Sequence, residues 1–125
     1  MKPALIDTDI LSIFLKGNTK VKGKFKNYLG TYNAINFSII SYYEILSGLK
    51  HKDANKQINI FLEFASINII LPLTMQSSEN SAVIYADLRK KGTPVGDIDL
   101  LIAGIACYFP NSNHKIQHFP TNLQS

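Results

Sequence analysis

A single cysteine, Cys107, stands in the 125 residues. One thiol cannot close an internal disulfide, and a cysteine-based zinc site is excluded with it. Its apolar neighbours make a buried packing role the expected one. Long hydrophobic runs are lacking too. The longest, Ile67 to Leu73, is broken by Asn68 and Pro72 and falls far short of the ~20 residues of a spanning helix. The first residues reach Asp7 too soon to hold a signal peptide's apolar region, so a cytoplasmic protein without a membrane partner is the expectation. Arginine is nearly absent: of 13 basic residues only Arg89 is one.

What is present describes an ordinary soluble domain. Hydrophobic residues make up 46% and charged residues 18%, the range of an ordinary globule, and a chain of this length forms one domain. The formal charge is +4, and Lys16, Lys20, Lys22, Lys24 and Lys26 crowd one stretch. Such lysines can track a phosphate backbone as point charges, although a solvated face has the same composition. The charge permits a nucleic-acid partner without establishing one.

Hydrophobic periodicity gives the order of elements. Residues 3–6 read as a short strand ending at Asp7, followed at once by a helix carrying Ile10, Ile13 and Phe14. Gly17-Asn18 breaks it, and a lysine-rich helix is expected from Lys20 to Leu29. Residues 33–40 read as a second strand. Ser41 to Glu44 fits a capping box opening a helix striped by Tyr42, Ile45, Leu46 and Leu49. Asp53 is expected to open the next helix, with Ile58, Phe61, Leu62 and Ala65 on one face. Residues 67–71 form a β-branched third strand. A longer helix runs from Met75 to Lys91, and a buried one from Leu100 to Ala106. Strands alternating with helices imply an α/β fold with a parallel sheet covered on both faces.

Three acidic positions stand out. Asp7 lies where the first strand meets its helix, the place where open α/β sheets bind ligands; capping of that helix is an equal alternative. Glu44 follows the second strand, with the capping box as its structural explanation. Asp97 and Asp99 precede the buried helix, where one cap would suffice. If these groups converge, two carboxylates ~4 Å apart repel by about 4 kcal/mol at an effective dielectric of about 20. A cap returns only roughly 0.5–2 kcal/mol. A divalent cation would offset the repulsion, and all-oxygen ligands favour Mg²⁺ or Mn²⁺ over zinc. The chemistry natural to such a site is phosphodiester hydrolysis, with a further carboxylate as general base.

Leu5-Ile6-Asp7-Thr8-Asp9-Ile10-Leu11, Ser41-Tyr42-Tyr43-Glu44-Ile45-Leu46-Ser47-Gly48 and Gly96-Asp97-Ile98-Asp99-Leu100-Leu101-Ile102-Ala103-Gly104 resemble the three acidic motifs of PIN-domain proteins. The likeness is to VapC-type toxins of toxin–antitoxin pairs and covers residues 3 to about 108. It implies a three-layer α/β/α sandwich around a parallel sheet and a Mg²⁺-dependent (or Mn²⁺-dependent) endoribonuclease, often acting on tRNA. It also implies a homodimer and a VapB-like antitoxin. Asp7 and Asp99 match the principal metal-ligand positions, Glu44 the second acidic position and Asp97 an accessory acid. Thr8 and Asp9 match supporting positions. Residues 1–108 are the expected domain, and residues 109–125 depart from the pattern. His118-Phe119 echoes a pair found in relatives, but Pro110 and Pro120 discourage a central strand, so the last strand is expected to be missing or replaced. His114 and His118 have no third ligand and read as part of a surface tail.

Two other readings fit the residues. One is a catalytically impaired PIN-like module that binds an antitoxin or RNA. The other is a haloacid-dehalogenase-like phosphatase, which Asp7-Thr8-Asp9 after an apolar strand also resembles. It would use Ser38 or Ser41 and a distant lysine, and would leave Glu44 and the Asp97/Asp99 pair partly unexplained.

Overall fold

A computed structural model describes residues 5–107. Within them α1 (Thr8–Leu15), α2 (Thr19–Thr31), β1 (Asn36–Ser38), α3 (Ile39–His51), α4 (Asn55–Ser66), β2 (Ile69–Leu71), α5 (Met75–Lys90) and α6 (Asp97–Ala106) follow in order. The expectations for residues 109–125, including the altered last strand and the His114/His118 pair, lie outside the described residues.

β1 is the hub of a small parallel sheet. Asn36 lies opposite Ile69 and Ser38 opposite Leu71, while Leu5 bridges to Asn36, also in parallel. Successive carbonyls at the entry to this strand serve different neighbours: Ile35 O accepts from Ile69 N at 2.9 Å, and Asn36 O from Ile6 N at 2.8 Å. Side chains alternate across the sheet, as the pleat requires. Ile6, Ile35, Phe37 and Ile70 enter one core with residues of α1, α2 and α4. Leu5 and Leu71 enter a second core with Ile102, Ile105 and Ala106 of α6. The sheet therefore has helices on both faces, which is the three-layer arrangement expected from the sequence.

The larger core is aromatic. Phe14 stacks on Phe25 with ring centroids 4.2 Å apart, and Phe64 connects Phe14 to Phe37 and Phe61. Tyr28 is fully buried there, and its hydroxyl accepts a hydrogen bond from Asn36 Nδ2 at 3.2 Å. That bond supplies a partner for two polar groups that would otherwise be costly to bury.

Several boundaries differ from the sequence reading, each for a local reason. The second strand stops at Ser38 because its hydroxyl accepts from Ser41 N at 3.0 Å and caps α3. Ser41 is therefore inside the helix, and the expected capping box between Ser41 and Glu44 does not form. Asp53 does not open α4; it sits at φ 53° in the turn closing α3, and Ala54 precedes α4. The third strand is shorter because Asn68 is used otherwise: its Oδ1 accepts from Ile35 N and its Nδ2 donates to Phe64 O. The α4 stripe holds at Phe61 and Ala65 but not at Leu62, which is exposed. α6 begins at Asp97, so the acidic pair lies in its first turn rather than ahead of it. Cys107 is half-buried rather than buried. No helix among the described residues is long and apolar enough to cross a membrane.

Candidate active site

Asp7 follows the Leu5 bridge at the carboxyl end of the sheet and caps α1, its Oδ1 accepting from Ile10 N at 2.9 Å. The capping explanation is thus realised, and it coexists with the position expected for a ligand-binding group. One residue on, Thr8 turns toward α3. Its hydroxyl donates to Glu44 Oε1 at 2.7 Å, and its oxygen lies 2.7 Å from Ser41 Oγ. With the Thr8 proton committed to Glu44, Ser41 must be the donor of the second bond. Ser38 Oγ in turn donates to Ser41 Oγ at 3.3 Å.

The result is a one-way hydroxyl chain, Ser38 to Ser41 to Thr8 to Glu44. Ser38 and Ser41 are fully buried and Glu44 is half-buried. Aligned donors polarise one another, and a bond ending on a carboxylate is the strong kind. Glu44 is thereby fixed in one orientation, and its second oxygen has no hydrogen-bond donor among the described residues. Sequence reasoning found Thr8 but missed Ser38 and Ser41 as supports. A signal existed: three hydroxyls flank the end of the second strand and its facing turn.

Glu44, Thr8 and Asp9 border a cleft of about 550 Å³ between α1, α3 and α4, with Lys16 and Lys52 on its wall. Asp9 is exposed. Thr8→Ala removes the donor that fixes Glu44. A hydrogen bond to a charged group contributes roughly 1.5–3 kcal/mol. Any reaction rate that depends on an oriented Glu44 carboxylate is expected to fall roughly tenfold or more in this variant, with Thr8→Ser retaining most of it. Rate measurements on both variants check this, and equal loss in both would contradict the role of the hydroxyl.

Asp97 and Asp99 occupy the first turn of α6 and are exposed. Neither caps the helix. Gly96 is the N-cap, without a side-chain bond. Capping is therefore not what these two carboxylates do, although the helix dipole favours both. α6 packs on α5 and touches α3. Its Ile102 shares an apolar cluster with Leu5 and Ile40. Asp99 precedes Ile102 by one turn on the same face, Asp7 follows Leu5 by two residues, and Glu44 follows Ile40 by one turn. One cluster thus joins the segments that carry all three acidic motifs. Among the described residues, no three His, Cys, Asp or Glu side chains form a group that could hold a metal ion.

No protein-family model matches the sequence, and no curated protein does. Solved structures do. A chain of the DNA-bound VapBC from Salmonella typhimurium is 21% identical and superposes with a TM-score of 0.75 over 95% of this chain and 99% of its own. VapBC-1 from nontypeable Haemophilus influenzae gives 18% identity and 0.73 over 96% and 100%. A toxin–antitoxin complex from Klebsiella pneumoniae gives 20% and 0.66 over 86% and 81%. Parallel strands with helices on both faces, and this likeness along nearly the whole chain, establish the fold as that of a VapC-type PIN domain.

Proposed function

We propose that the chain is a toxin of the VapC type, a Mg²⁺-dependent (or Mn²⁺-dependent) endoribonuclease that cuts tRNA or another structured RNA. The observation that carries this reading is the Thr8–Glu44 bond, which ties the first acidic motif to the second at the border of the cleft that Glu44 lines. The uncapped Asp97 and Asp99 support it, since helix capping does not account for them.

The donor chemistry fits the cation. Asp7, Glu44, Asp97 and Asp99 offer only hard oxygen ligands, and Mg²⁺ keeps several waters while bound through one or two carboxylates. A cage of three protein ligands is therefore not required. When bound, such a cation would polarise the phosphoryl group and lower the pKa of water beside it. Asp7 and Asp99 are the proposed principal ligands, with Asp97 adding negative charge. Glu44, held by Thr8, would position the attacking water or take its proton. Thr8 and Asp9 are supporting groups.

A VapB-like antitoxin and a homodimer belong to the same proposal; the structural neighbours are toxin–antitoxin complexes. The test is incubation of purified protein with total tRNA and with a short structured RNA, in Mg²⁺ or Mn²⁺ and in chelator. Metal-dependent cleavage is expected. A folded protein that binds an antitoxin yet cuts neither RNA would favour the impaired binding module instead.

A further inference from the structure

Residues 16–26 carry five of the 13 basic residues and no acid, leaving eight basic against nine acidic residues elsewhere. The whole positive excess of the chain therefore sits on α2 and the turn that leads into it. The helix arranges this charge in two rows. Val21, Phe25 and Tyr28 bury one line of α2. Lys20 and Lys24, one turn apart, flank that line on one side, and Lys22 and Lys26 flank it on the other. Lys20, Lys22 and Lys26 are exposed and make no ion pair with any described residue.

Opposite the buried line stand Gly23 and Gly30. A Cβ added at either would meet nothing, so packing does not ask for glycine there, and glycine weakens a helix interior relative to alanine. What the two positions provide is a bare ridge between lysine rows. The charge also leads to the candidate active site, because Lys16 lines the cleft that holds Thr8 and Glu44.

We propose that α2 is a second RNA contact, in which the lysine rows hold phosphates on either side while the glycine ridge lets the strand lie close. This rests on the nuclease reading and adds to it a substrate-holding surface away from the acidic groups. Neutralising phosphates with lysines releases counterions, so binding through this surface must be salt-dependent, with a slope of ~0.7 per contact for a single strand.

The test is RNA binding by the full chain in chelator, across salt concentrations, using a labelled unstructured RNA and a tRNA. A Lys20→Gln/Lys22→Gln/Lys26→Gln protein is compared with the parent and with a Lys56→Gln/Lys90→Gln/Lys91→Gln protein of equal net charge. Glutamine matches lysine in helix propensity, so α2 stays folded. The α2 variant is expected to bind at least roughly tenfold more weakly at low salt, with the slope reduced by about 2. The other variant should stay near the parent. Equal weakening in both variants, an unchanged slope, or no RNA binding by the parent would overturn the proposal. Because cleavage is not read, a protein that cuts no RNA can still meet or fail this test.

Discussion

The Asp99→Asn protein is expected to cleave RNA about a thousandfold more slowly than the parent while unfolding at nearly the same urea concentration. A thousandfold corresponds to roughly 4 kcal/mol of transition-state stabilisation, the scale of a lost charge at a cation-assisted phosphoryl centre. Stability changes by no more than the helix-dipole share of an exposed first-turn carboxylate, about 0.3–1 kcal/mol, because Gly96 caps α6 and the Asp99 side chain bonds nothing in the described chain. Asp7→Asn should behave alike for a different reason. Asp7 does cap a helix, but asparagine caps as well as aspartate, so the charge is removed and the cap kept. Cleavage rates alongside urea curves check both variants. A variant that loses stability in step with activity would show that its carboxylate serves the fold.

Gly104→Ala has the largest effect expected on stability. α5 and α6 meet through small residues: an added Cβ at Gly104 would collide with Ser81 Oγ and with the Ser77 carbonyl, and would come within 3.0 Å of Ser81 N. Two of these atoms are backbone, so rotation of a side chain cannot relieve the clash. The same crossing holds hydrogen bonds, those of Ser81 buried. The Ser81 hydroxyl lies 2.7 Å from Leu100 O and 3.0 Å from Ser77 O, and Asn80 Nδ2 donates to Gly104 O at 3.3 Å. Overpacking here should cost about 2–3 kcal/mol, lowering the urea midpoint by roughly 1–2 M. Because α6 carries Asp97 and Asp99 at its start, cleavage should fall too. Gly23→Ala is the contrast: in open space within α2, it should stabilise the protein by about 0.5–1 kcal/mol. A Gly104→Ala protein as stable as the parent would contradict the packing described.

Much of this was legible in the sequence, because helices are periodic and acids at strand ends are conspicuous. Thr8 bonds Glu44 across the first two motifs, while Asp7 caps α1. The misreadings arose where one side chain chose between two local partners. Ser38, not Ser41, caps α3, since capping is a competition among neighbouring hydroxyls that spacing alone does not decide. That choice released Ser41 to join the chain ending on Glu44. Asn68 shortened the third strand by bonding across to Ile35 N. The close approach of α5 and α6 at Gly104 was hidden for a similar reason: a helix glycine looks the same in sequence whether it faces solvent, as Gly23 does, or another backbone.

In the proposed site the first and third acidic motifs serve one cation. Binding of Mn²⁺ to the purified protein, read by electron paramagnetic resonance without RNA, tests it most directly. One site is expected, weakened at least tenfold by Asp7→Asn and equally by Asp99→Asn. Unchanged Mn²⁺ affinity in either folded variant, or no Mn²⁺ site in the parent, would contradict it.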